Sequence, residues 1–286
     1  MTRVSGILTA MVTPFDENGD LAEERATELM RHLLENGSDG LVLAGTTGEG
    51  ATLADDEMFR LWEIGVEVCG DATVIAGTGT NDTRHSVELT ERATAIGVDA
   101  VLCVTPYYNK PNRRGLIEHY RAIAGSTDRP VILYNIPSRV VIDVPNDLLA
   151  ELARIDGVSA VKQANPDNLA PVEGLDLLAG NDDMLADVLD IGGAGGILVG
   201  SHLVGEQMRR MIDEPDRRRE IADEIQPLLE PLTAPGVTTN PIPIKTALNM
   251  LGHDVGGFRL PLAEATEEEQ AVIRGALERH GLLSAV

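Results

Sequence analysis

Ile7-Leu8-Thr9-Ala10-Met11-Val12, followed by Thr13-Pro14-Phe15-Asp16, is an apolar run that breaks into a turn without glycine. A short apolar run bounded by a turn reads as a buried strand, here Ile7–Val12. A doubly wound open sheet usually carries a Gly-rich loop at this position, for a dinucleotide pyrophosphate. None is present, so the first strand argues for a different parallel architecture.

Outward from it, seven further runs of the same kind follow: Gly40–Ala44, Thr73–Ala76, Ala100–Val104, Val131–Asn135, Val158–Lys162, Leu175–Ala179 and Gly196–Val199. Helical periodicity fills the gaps, at Glu23–Glu35, Asp55–Val68, Thr83–Ile96, Arg114–Ala124 and Asp147–Ile155. After Pro166 the helical pattern is weak and short. Eight strands, each followed by a helix, predict a closed (β/α)8 TIM barrel. Beyond His202 the strands stop, and helical patterns occupy 216–232, 243–251 and 266–280. Breakers at Pro235-Gly236 and Asn240-Pro241-Ile242-Pro243 separate them. The reading is a catalytic barrel over 1–215 with a helical C-terminal extension over 216–286. With only 3% aromatic residues, its core must be aliphatic.

The net charge is −23, from 46 acids against 23 bases. Such a surface keeps a protein soluble but repels phosphate, which argues against nucleic acid and anionic membranes as partners. No apolar run approaches the roughly 18 residues of a membrane helix, and the first residues carry no signal segment. Cys69 and Cys103 sit in apolar surroundings and read as reduced core residues, which favours the cytoplasm.

Only three of the basic residues are lysines: Lys110, Lys162 and Lys245. Where the chain needs only positive charge, it uses arginine. Lys162 closes a buried strand, where desolvation lowers an amine's pKa from about 10.4. A neutral amine attacks a carbonyl to form a Schiff base, which a guanidinium cannot do. A lysine that snorkels to water is the plain alternative.

In a barrel, the strand ends and the loops after them build the site. Here those ends are polar: Gly45-Thr46-Thr47-Gly48-Glu49, Gly77-Thr78-Gly79, Thr105-Pro106-Tyr107-Tyr108, Tyr134-Asn135-Ile136-Pro137-Ser138-Arg139, Lys162 and Gly180-Asn181-Asp182-Asp183. An amine, phenols, hydroxyls and a guanidinium suit carbonyl chemistry with proton relay and carboxylate binding. The six histidines form no close pair, so a zinc site is not expected, and a lysine that forms the imine itself needs no organic cofactor.

At these residues the chain resembles the dihydrodipicolinate synthase and N-acetylneuraminate lyase family of pyruvate-dependent class I aldolases. The likeness extends through Asn240-Pro241-Ile242-Pro243-Ile244-Lys245 and Arg259-Leu260-Pro261-Leu262. It implies Lys162 as the Schiff-base lysine and Tyr134 as general acid/base. Thr46 and Tyr108 would complete a proton relay, with Tyr108 lent by the neighbouring subunit. Thr47 would bind the pyruvate carboxylate, and Gly180 and Ile197 would line the second-substrate pocket through their backbones. Arg139 favours the synthases, which join pyruvate to L-aspartate 4-semialdehyde in lysine (diaminopimelate) biosynthesis, over the sialic-acid lyases. Gln163-Ala164-Asn165 departs from the acid that usually follows the synthase lysine. The resemblance also implies a homotetramer built from tight dimers. Lysine-inhibited members bind the amino acid at the dimer interface, through an Asn and a Glu four residues later. Here Asn81 and Tyr107 stand in place, but His85 occupies the Glu position. Gly50, Asp55 and Met58 fill the positions after the Gly-Thr-Thr-Gly-Glu motif. Two other readings stay open: a class I aldolase acting on a sugar acid of the 2-keto-3-deoxygluconate or N-acetylneuraminate type, and a silent barrel that only binds a keto acid.

Overall fold

The computed structural model describes residues 3–233 and 236–284. Eight parallel strands close into one barrel in chain order: β1 Gly6–Ala10, β2 Gly40–Leu43, β3 Thr73–Gly77, β4 Ala100–Val104, β5 Val131–Asn135, β6 Val158–Gln163, β7 Asp176–Ala179 and β8 Gly195–Leu198. The surrounding helices are α1 Glu23–Glu35, α2 Asp55–Cys69, α3 Thr83–Ile96, α4 Arg113–Ala124, the single turn α5 Pro137–Val140, α6 Asn146–Leu152, α7 Leu185–Asp190 and α8 Ser201–Asp213. The extension carries α9 Arg218–Leu232, α10 Ile242–Met250 and α11 Glu267–Arg279. Among the described residues, no helix is long and apolar enough to cross a membrane. Pro235, one of the expected breakers, lies outside the described residues.

Strand alternation builds two cores. Leu8, Val42, Ile75, Leu102, Ile132, Ala160, Leu178 and Ile197 fill the barrel interior. Their sequence neighbours Ile7, Leu41, Leu43, Val101, Leu133, Val161 and Leu177 pack outward against the helices. Both layers are mainly aliphatic; Trp62 and Tyr120 belong to the outer one. Closure of β8 onto β1 pairs Gly6 with Gly195. A Cβ on Gly195 would stand 2.1 Å from the Gly6 carbonyl oxygen, so the seam admits only glycine there.

Several boundaries move by one to three residues, as where α6 stops at Leu152 rather than Ile155, and two departures have a clear cause. The unit after β6 has no α-helix, only a 3-10 turn at Pro166–Asn168. Pro166, Pro171 and Gly174 crowd that connection and deny a helix its hydrogen bonds and length. Asp143 gathers the loop instead, accepting from the side-chain amides of Asn135, Asn165 and Asn168. The first strand ends at Ala10 rather than Val12, because the Val12 N–H turns to the His202 ring. At the other end of the chain, α11 starts where a capping box places it. The Thr266 hydroxyl accepts from Glu269 N–H, and the Glu269 carboxylate accepts from Thr266 N–H.

Candidate active site

A cavity of ≈ 390 Å³ opens at the carboxyl ends of the strands. Thr46, Thr47, Tyr107, Tyr134, Arg139 and Lys162 line it, and Asn240 and Pro261 of the extension close one side. Lys162 lies two residues beyond Ala160, so alternation turns it into the barrel. Tyr134 follows Ile132 by the same step, and the β5–β6 register pairs Tyr134 with Lys162. The Lys162 Nζ therefore lies 4.2 Å from the centre of the Tyr134 ring.

Lys162 is 5% exposed. Burial draws its ammonium pKa down to about 7; the Asp182 carboxylate opposes the shift and the Arg139 guanidinium adds to it. Near neutrality a large share of the amine is thus free base. Burial pushes the Tyr134 phenol up to about 12, with Arg139 and then Thr46 working against it. Tyr134 keeps its proton at neutral pH and can donate it. Its carbonyl is fixed by the Thr105 hydroxyl at 2.9 Å and by Thr105 N–H at 3.1 Å.

The Gly45–Glu49 turn presents the two threonines. Ala44 and Glu49 bracket it, both with φ of 55° in the left-handed region. Tyr108, Lys110 and Val141 share that left-handed region on the stretches after β4 and β5. The Thr13 hydroxyl donates to Gly48 O at 2.6 Å, and Glu49 N–H donates to Thr46 O at 3.1 Å. Thr47 is buried, and its hydroxyl accepts from the Asn240 side-chain amide at 3.0 Å. Arg139 stands exposed at the rim on α5 and donates to the Asn240 carbonyl at 3.0 Å.

Three expected site residues lie off the cavity wall. Tyr108 is 90% exposed on the loop after β4 and is not among the residues that line the cavity. Gly180 follows β7 directly, and a Cβ there would meet the Gln163 carbonyl oxygen at 2.7 Å. Ile197 is buried within β8, deeper in the barrel. Gln163 is buried on the opposite face of β6 from Lys162, where its side-chain oxygen accepts from Asn135. The Gln163 departure therefore does not reach the cavity.

Sequence reasoning assigned no role to Asp182, Glu49 or Lys245. Asp182 is buried and accepts the N–H groups of Val199 at 3.1 Å and Gly200 at 2.7 Å. Burial raises its carboxyl, and those two N–H groups counter it. Its signal was the polar Asn181-Asp182-Asp183 at a strand end. Lys245 and Glu49 pair with each other behind the threonine turn. Among the described residues, no group of three or more His, Cys, Asp or Glu side chains gathers to hold a metal ion.

A desolvated lysine against a phenol, two threonines on a strained turn and a rim arginine form one continuous wall. Comparisons with known proteins cover nearly the whole chain. Residues 3–280 match the Dihydrodipicolinate synthetase family. A 4-hydroxy-tetrahydrodipicolinate synthase of Desulforudis audaxviator is 44% identical over 97% of this chain and 98% of its own. The dihydrodipicolinate synthase of Acinetobacter baumannii, solved with pyruvate, superposes with a TM-score of 0.94 at 32% identity, covering 98% of this chain and 100% of that one. The enzyme of Cyanidioschyzon merolae, solved with lysine bound, superposes with a TM-score of 0.93 at 36% identity, covering 98% and 99%. With its lysine strand, threonine turn and C-terminal extension all spanned by these matches, the chain belongs to the dihydrodipicolinate synthetase family.

Proposed function

We propose that this chain condenses pyruvate with L-aspartate 4-semialdehyde, as a 4-hydroxy-tetrahydrodipicolinate synthase. The observation that carries the proposal is Lys162, buried and partly neutral, lying against the Tyr134 ring with Arg139 at the rim. The Lys162 amine adds to C2 of pyruvate, and the carbinolamine loses water to give the imine. Loss of a C3 proton yields the enamine, which attacks the aldehyde carbon and forms the C–C bond. The semialdehyde's own amine then attacks the imine carbon, closes the ring and expels Lys162. Tyr134, Thr46 and Tyr108 move the protons, and Thr47 holds the pyruvate carboxylate. Gly180 and Ile197 offer backbone groups to the second substrate, whose carboxylate Arg139 receives. Tyr108 reaches the cavity of a second copy, which is consistent with its exposure here, and the working form is a homotetramer of tight dimers.

The test is turnover with a panel of substrates. Pyruvate with L-aspartate 4-semialdehyde should be consumed at least about tenfold more efficiently than 2-keto-3-deoxygluconate or N-acetylneuraminate is cleaved, a difference of about 1.4 kcal/mol in transition-state binding. Preference for either sugar acid would overturn the substrate assignment. Absence of any borohydride-trapped pyruvate adduct would leave only a keto-acid-binding barrel.

Lysine should inhibit weakly or not at all. At the position of the effector-binding glutamate stands His85, whose ring nitrogen faces both oxygens of Asp55 at 3.1 Å. The carboxylate that could have replaced the glutamate is therefore already engaged. Met58 is buried nearby and lines the cavity with an apolar surface. An ammonium left unpaired in such a pocket loses a few kcal/mol. A steady-state assay across lysine concentrations should give half-inhibition above about 1 mM, or roughly −4 kcal/mol of binding. Half-inhibition below about 1 mM would show that the altered pocket still binds lysine.

A further inference from the structure

Behind the threonine turn lies an ion pair that the proposed mechanism does not use. Glu49 and Lys245 are both 0% exposed at their side chains, with Nζ 2.8 Å from Oε1. The two residues stand 196 positions apart, one on the β2 loop and the other on α10 of the extension. The chain has three phenylalanines, and two of them face this ammonium: Phe15 at 4.2 Å and Phe258 at 5.2 Å from ring centre to Nζ. Burial draws the Lys245 ammonium pKa down, and Glu49 works against that shift.

The second carboxylate oxygen of Glu49 accepts the Arg259 N–H at 3.1 Å. The Arg259 guanidinium donates to Thr52 O and Gly19 O and pairs with Glu57 on α2. The extension thus holds the Glu49 end of the turn through both carboxylate oxygens. A buried ion pair is a poor device for stability alone, because desolvation offsets its attraction. What it supplies is direction. Glu49 occupies a left-handed conformation, and its N–H closes the turn onto Thr46 O. Fixing its carboxylate therefore fixes the peptide units that carry Thr46 and Thr47. Asn240, just ahead of α10, adds a direct bond to the Thr47 hydroxyl.

We propose that Glu49 and Lys245 are positioning residues through which the C-terminal extension sets Thr46 and Thr47 against Lys162. This inference rests on the pyruvate-imine reading above. Loss of the pair should loosen the threonines without removing the nucleophile.

The experiment compares the parent enzyme with E49Q and with the double variant E49Q/K245M. The double variant leaves no unpaired buried charge, so it keeps the test alive if the single variant does not fold. KM for pyruvate and kcat are measured separately, with the folded fraction read by thermal melting and one borohydride trap at saturating pyruvate. The expected result in folded variant is a rise in KM for pyruvate and a fall in kcat, each tenfold or more, with the adduct still on Lys162. A purely structural pair would lower activity only in step with the folded fraction and leave KM for pyruvate unchanged, and that outcome overturns the proposal. If the parent itself traps no pyruvate, the failure belongs to the imine reading instead.

Discussion

Replacing Lys162 by arginine should abolish turnover and leave no pyruvate adduct after borohydride reduction. The guanidinium remains protonated and cannot form the imine, so charge is kept while the nucleophile is lost. Removing an essential nucleophile typically costs on the order of 10⁴-fold or more in kcat, about 5 kcal/mol of transition-state stabilisation. Peptide mapping of the parent enzyme should find the single adduct on Lys162. Lys110 is exposed on the loop after β4, and Lys245 is sealed behind the threonine turn. An adduct on either would end the assignment. The same amine sets a pH dependence. Its pKa lies near 7, and the neutral form is the one that reacts. Imine formation should therefore rise as pH increases through 7 and level off about one unit above, with roughly a tenth of the limiting rate one unit below. A profile still climbing steeply at pH 10 would mean that burial does not depress this lysine.

Replacing Arg139 by alanine should raise KM for L-aspartate 4-semialdehyde by about 10²-fold, close to 3 kcal/mol, the usual cost of losing a charged hydrogen-bonded partner. Arg139 is exposed at the rim, so added salt should shrink the difference between parent and variant. Its contact with Asn240 is to a main-chain carbonyl, so the Thr47 side of the cavity should largely survive. A second effect follows from charge. Burial is the main cause of the low Lys162 pKa, and the Arg139 guanidinium lowers it further. Without Arg139, the imine profile should move to higher pH, while pyruvate trapping well above pH 8 is spared. Unchanged semialdehyde kinetics would point to a substrate without a carboxylate at that position.

Much of this was legible before any coordinates, and the reason is local. Short apolar runs separated by helical periodicity record which residues are buried, and eight of them in order leave few architectures beyond the closed barrel. The scarcity of lysine singled out Lys162, because a chain that uses arginine for plain charge needs a reason to keep an amine. The same logic applied to Lys245, which sits among Ile242, Ile244, Ala247 and Leu248 on a helix buried all round. That signal was present but pointed to no partner.

What the sequence settled by itself was the strand order, the polar character of the strand ends and the family likeness, since each depends on neighbours along the chain. The absence of a helix after β6 needed more, because Asp143 draws its amide donors from two separate stretches of chain, the end of β5 and the turn after β6. The face on which Gln163 lies also required the closed sheet, which sends Lys162 inward and its neighbour outward. Only the tertiary structure could decide the Glu49–Lys245 pair and the Asp182 cap, because their partners lie 196 and 17–18 residues away. A buried charge is tolerated only where a distant segment supplies its counterpart, and sequence periodicity carries no record of which segment that is.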